Sequence, residues 1–167
     1  MNRMISAVVT ASALMFGVFL PSEEAVAQMA KELVGTWTLV SITREQEGKT
    51  TDYFGPHPQG QAIFEPNGRF SIIFIRSDVP KFASNNREAG TPEENQAATQ
   101  GSLAYFGTYS VSEADHTLNS HLEGSTFPNW RGADQKRVLK LSGDELTLTN
   151  PRSSASGSAT SVWKRVK

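Results

Sequence analysis

Six side chains in this sequence have the chemistry to hold or transform a small molecule: Arg76, Tyr105, Tyr109, His121, Trp130 and Arg137. An imidazole such as His121 donates, accepts or carries charge near neutral pH. It lies in Thr117-Leu118-Asn119-Ser120-His121-Leu122-Glu123, where alternation puts Leu118 and Leu122 on one face and Asn119, His121 and Glu123 on the other. Either face could turn inward, since a sheet that encloses a ligand keeps some polar groups inside. Arg76 ends an apolar run. Pointing inward it is a fixed cation able to grip a carboxylate or phenolate with two hydrogen bonds, and pointing outward it is a solvated strand end. Tyr105 and Tyr109, at i and i+4 on one strand, share a face and supply two hydroxyls or two packed rings. Trp130 could stack a ring with its N–H free to bond, or plug the interior, and Arg137 poses the same alternative.

Other chemistries lack their residues. The three histidines, His57, His116 and His121, have no metal-ligand spacing, and cysteine is absent. Neither a bound metal nor a cofactor is therefore expected, and thiol catalysis and disulfides are excluded. No Gly-X-Ser-X-Gly elbow, dinucleotide fingerprint or phosphate loop occurs. With 16 basic and 17 acidic residues in 167, the net charge of -1 supplies no field for nucleic acid or an anionic membrane.

The elements that would carry these residues are short strands. Leu33-Val34-Gly35-Thr36-Trp37-Thr38-Leu39-Val40-Ser41-Ile42 opens the series, and Ser161-Val162-Trp163-Lys164-Arg165-Val166 ends it. In an up-and-down barrel the first and last strands are neighbours, so a cation of the last can lie over the Trp37 indole. Gly35, Trp37 and Arg165 are assigned to that closure. Between them, Gln61–Glu65 and Arg69–Arg76 flank Pro66-Asn67-Gly68, a hairpin signal. The second of these strands is apolar on both faces, which implies a cover from the following loop or a second subunit. Asp52–Gly60, with two prolines and two glycines, reads as a loop at one rim. Val79 and Phe82, in the long loop after Arg76, are expected to tuck inward. Thr91-Pro92-Glu93-Glu94 has the form of a capping box opening a short helix over Glu93–Leu103. Ala104–Val111, Thr117–Glu123, Lys136–Leu141 and Glu145–Thr149 follow as strands, for a total of about eight, the number that leaves room for one small ligand.

The chain begins with a leader. Arg3 precedes the apolar run Ile5–Leu20, Pro21 breaks it, and Ala25-Val26-Ala27 is an A-X-A signature. Residues 1–27 are read as a signal peptide cleaved after Ala27, leaving 28–167 as one periplasmic or secreted domain with no membrane span.

Taken together, these pieces resemble the bacterial and fungal lipocalin-like domain family, a branch of the calycin-type barrels. The resemblance rests on Leu33–Ser41, Pro66-Asn67-Gly68-Arg69-Phe70, Gly90-Thr91-Pro92-Glu93-Glu94, Ala104-Tyr105-Phe106-Gly107-Thr108-Tyr109, Phe127-Pro128-Asn129-Trp130, Gln135-Lys136-Arg137 and Trp163-Lys164-Arg165. It implies an all-β, eight-stranded antiparallel barrel with a pocket for a small apolar or amphipathic molecule. The chain departs from secreted animal lipocalins in lacking disulfides and in its mid-chain helix. Two further readings stay open: an isomerase- or cyclase-type enzyme using the same pocket, and a module that binds another envelope protein or pairs as a homodimer.

Overall fold

A computed structural model of the chain describes the backbone from residue 23 and the side chains from residue 28 to the C-terminus. Residues 1–22, most of the leader, lie outside the described residues. The first element is a helix, α1 (Glu23–Leu33), rich in good helix formers (Glu, Ala, Gln, Met, Lys). It corrects the reading of Leu33 as the start of a strand. Leu33 is instead a fully buried helix end, and β1 (Gly35–Gln46) follows after one residue.

Eight strands then close a ring. In chain order they are β1, β3 (Gln59–Phe64), β4 (Arg69–Ile75), β5 (Ser102–Ser112), β6 (Thr117–Ser125), β7 (Asp134–Ser142), β8 (Glu145–Asn150) and β9 (Ser158–Arg165). Each pairs antiparallel with the next, and β9 returns to β1 from Trp37↔Arg165 to Glu45↔Ser158. A ninth strand, β2 (Lys49–Asp52), pairs only with the far half of β1, whose near half pairs with β3. β2 has little side-chain patterning to betray it, because four polar residues suffice when a tight turn delivers them to an open strand edge.

The helix expected from the capping box is α2 (Pro92–Gln100). Thr91 accepts from the Glu94 N–H while the Glu94 carboxylate accepts from the Thr91 N–H. It ends earlier than expected, since Leu103 already belongs to β5. None of its residues is buried, and its last turn borders the barrel mouth without covering it. Val79 and Phe82 are half-buried; Val79 packs against Gly101 at the C-terminal end of α2, and Phe82 against Gly90.

The two barrel ends differ. At the floor, α1 docks near the end of β5, where Glu113 accepts from the Met29 N–H at 2.7 Å. Trp37 is fully buried there and donates to the Leu33 carbonyl at 2.9 Å. The Arg165 guanidinium lies 4.1 Å over the indole centroid and donates to the backbone carbonyls of Val34 and Glu32. Gly35 permits this approach. Its φ of 134° is open to glycine, and a Cβ there would come within 3.0 Å of the Arg165 Nη1. At the opposite end, beside the loop that follows β2, a basin opens among Arg44, Phe54, Arg76 and Leu103.

Candidate functional site

Alternation decides which candidates enter the interior. On β6, Leu118, Ser120 and Leu122 are buried and point inward, so His121 points out. Of the two readings open for His121, the outward one holds and its candidacy for the pocket does not: two leucines claim the inner face, and one residue's shift along a strand reverses the side. His121 instead pairs through Nδ1 with Asp134 at 2.7 Å, half exposed, in an outer-wall groove of about 410 Å³ with Thr108, Asn119 and Lys136. Arg76 is also outside the cavity. It stands at the rim with both ends of its guanidinium on Asp78, at 2.9 and 2.7 Å. That ion pair raises the Arg76 pKa and lowers that of Asp78.

Tyr105 and Tyr109 both point in, at different depths. Tyr109 packs towards the floor against Phe64, and its hydroxyl donates to the Glu65 carbonyl at 2.9 Å. Tyr105 is buried in the mouth half, where the Arg137 guanidinium lies 5.2 Å over its ring and Trp130 meets it edge-on at 5.4 Å. Three of the six candidates, Tyr105, Trp130 and Arg137, are thus brought together. Trp130 arrives on a short 3-10 turn, Pro128–Trp130, that closes the gap between β6 and β7.

Arg137 is the unusual member of this group. It shares the inward face of β7 with Leu139 and is only 5 % exposed. Gln135, two residues before it, accepts from Nη2 at 2.5 Å. Nη1 is buried with no hydrogen-bond partner, and none of the ion pairs among the described residues includes Arg137. The Gln135 hydrogen bond and the Tyr105 ring offset part of the cost of desolvating this charge, and Nη1 is left uncompensated.

Around it lies an interior cavity of about 40 Å³, lined by Phe54, Phe74, Leu103, Tyr105, Trp130 and Ser161 among others. The Ser161 hydroxyl accepts from the Trp163 indole N–H at 2.9 Å and donates to the Leu148 carbonyl, so it is already committed. Above the cavity, and sharing Tyr53, Phe54, Leu103 and Ser154 with it, a basin of about 700 Å³ opens at the mouth. Phe54, one of the four shared residues, is 3 % exposed on the loop after β2, with Tyr53 edge-on at 5.0 Å and Arg44 5.2 Å over the Tyr53 ring.

Sequence reasoning missed Phe54, Phe74 and Gln135. Phe74 and Gln135 were within reach of the alternation argument, since each lies two residues from an inward neighbour. Phe54 was not, because a loop has no periodicity to read. Among the described residues no cluster of His, Asp or Glu could hold a metal ion.

Burial pushes the Tyr105 phenol pKa up, and the Arg137 charge draws it part of the way back. Burial raises Tyr109 as well. Tyr105 is therefore a neutral donor at physiological pH. An unfolded tyrosine titrates near pH 10 and the folded one later, so the folded state holds the proton longer. Stability is accordingly complete below about pH 10 and is lost as pH rises towards the folded pKa. Tyr105→Phe is expected to reduce the loss between about pH 9 and about pH 11, read by urea unfolding at both. An unchanged slope would contradict this burial.

The chain is 35% identical over 85 residues to the 4'-hydroxy-3'-methoxypropiophenone carrier protein ppsC of Aspergillus oryzae, a match covering 47% of this chain and 77% of that protein. Among solved structures it is similar to a lipocalin-like protein from Bacteroides uniformis, at 17% identity over 81% of this chain and 99% of that one, with a TM-score of 0.45. It is also similar to a mutant of the fluorescent protein UnaG, at 12% identity over 83% and 99%, with a TM-score of 0.40. The profile of the lipocalin-like domain matches residues 34–166, all of the barrel from the residue before β1 onward, and the chain belongs to that family.

Proposed function

We propose that this protein is an exported carrier that takes a small, partly apolar molecule through the barrel mouth and seats it between Phe54, Tyr105 and Trp130. The observation that carries the reading is the mouth basin of about 700 Å³ sharing a wall of aromatic and aliphatic side chains with the interior cavity. The cavity alone, at about 40 Å³, holds a water or two, whereas ligand sites run to roughly 300–1,000 Å³. A ligand therefore uses both spaces, its body in the basin and its tip in the cavity, with Phe54 turned aside. Each Å² of apolar surface removed from water contributes about 25 cal/mol. That a relative is named as a carrier of an aryl ketone supports the same class of cargo.

Carriage is preferred to catalysis because the His121–Asp134 pair, the obvious acid–base couple, stands on the outer wall away from this cavity. Export rests on the leader. No helix among the described residues is long and apolar enough to cross a membrane. A homodimer would use the outer face on which Ile73, Ile75 and Phe106 are exposed.

Native mass spectrometry of the protein, purified gently from its own cells and fractionated by compartment, tests both parts. The expected result is a periplasmic or secreted chain beginning at Gln28, with a small aromatic molecule bound one to one. A full-length chain in the cytoplasm would contradict export. A chain that stays empty when offered aromatic compounds would contradict carriage.

A further inference from the structure

We infer that the cargo is an aromatic oxyanion, a flat ring system bearing a carboxylate or phenolate, and that Arg137 holds its charged oxygen through Nη1. This rests on the carrier reading and adds the chemical class of the ligand. The argument begins with charge. Arg137 is permanently cationic, 5 % exposed, and in no ion pair among the described residues, so the charge is buried without a counter-charge. Gln135 satisfies Nη2 but brings no charge. What the site lacks is one anionic acceptor at Nη1.

The surroundings define the rest of the molecule. Stacking on Tyr105 and the Gln135 hydrogen bond hold the guanidinium in place, so its free nitrogen has a set direction. Tyr105 stays protonated beside it and so brings no competing negative charge. Tyr53, Phe54 and Phe127 of the basin offer ring faces and edges for a flat apolar body. A long flexible chain would gain little from these rings, and a doubly charged head would find one free nitrogen.

The probes are 2-naphthoate and its neutral counterpart 2-naphthamide, with 4-nitrophenolate and 4-nitroanisole as the phenolate pair, titrated by calorimetry. The wild-type protein is expected to bind each oxyanion at least about tenfold more tightly than its neutral partner, as a charge-assisted hydrogen bond requires. Preference in either pair supports the assignment and says which oxyanion fits. In Arg137→Met the preference is expected to vanish, with affinity for 2-naphthoate falling at least about tenfold further than affinity for 2-naphthamide, because the charge-assisted contact is gone. Equal wild-type affinities, or a preference that survives Arg137→Met, would overturn the assignment. Binding of the neutral probes alone would leave the carrier reading standing without it, whereas no binding of any probe would sink both. If circular dichroism shows that Arg137→Met does not fold, Arg44→Met/Arg76→Met decides. A preference kept there leaves Arg137 as the holder, and one lost there moves the anion to the mouth and overturns the assignment.

Discussion

Trp37→Ala is expected to cost about 3–5 kcal/mol, the range for removing a large aromatic side chain from a core. The indole is fully buried, donates to the Leu33 carbonyl at 2.9 Å, and lies under Arg165 at 4.1 Å. Its loss would open a cavity where α1, β1 and β9 meet, and would unseat the guanidinium that ties β9 to the backbone of Glu32 and Val34. A double-mutant cycle with Arg165→Met separates these effects. The coupling between the two side chains is expected at about 1–2 kcal/mol, since the cation sits over the indole face largely shielded from water. Urea unfolding of the four proteins provides the values. A loss below about 1 kcal/mol for Trp37→Ala would mean that the floor is not closed by this side chain.

Gly107→Ala is expected to be about as damaging, by the opposite route. Gly107 sits where the β5–β6 register shifts, facing Leu122. A Cβ there would stand 1.9 Å from the His121 carbonyl oxygen and 3.0 Å from its carbon, both backbone atoms that cannot rotate away. Relief requires β5 and β6 to part at the bulge. Ordinary overpacking costs roughly 1–3 kcal/mol, and a clash with backbone belongs at or above the top of that range, about 3 kcal/mol or more. Tyr105 is two residues upstream on the same inward face, so the variant is also expected to loosen the Tyr105–Arg137 contact. A variant within about 1 kcal/mol of wild type would show that the bulge yields easily.

These two positions show how far the chain could be read before its structure was known. Strand signals at both ends, with Trp37 and Arg165 facing each other across the seam, follow from β propensity and from the topology of a closed meander. The capping box at Thr91 was equally legible, because its hydrogen bonds are local. Gly107 could be seen as a glycine inside a strand, though the extra residue opposite it, Glu123, and the carbonyl that crowds it belong to the partner strand. α1 escaped notice because a leader reading absorbed its first residues. β2 escaped because polar residues at a strand edge carry no alternating pattern.

The site was legible in a similar, partial way. Strand alternation divides residues into two faces without saying which face is inside. For β6 the leucines settle it and put His121 outside. For β7 the same test puts Arg137 on the leucine face, so an arginine among inward residues was there to be found. Its missing partner was not, since an orphaned Nη1 is a property of the assembled barrel. Phe54 reaches the cavity from a loop whose course is set by β2 pairing with β1, a long-range contact with no local trace.

The central claim is that cargo fills the mouth basin and sends its polar tip into the barrel interior beneath, and a crystal structure of the protein grown with 2-naphthoate tests it most directly. The account predicts the naphthalene ring in the basin against Tyr53 and Leu103, Phe54 turned aside, and the carboxylate reaching down into the cavity to within hydrogen-bond distance of the Arg137 Nη1. Ligand density confined to the outer groove beside His121 and Asp134, with the interior packed as it is now, would contradict it.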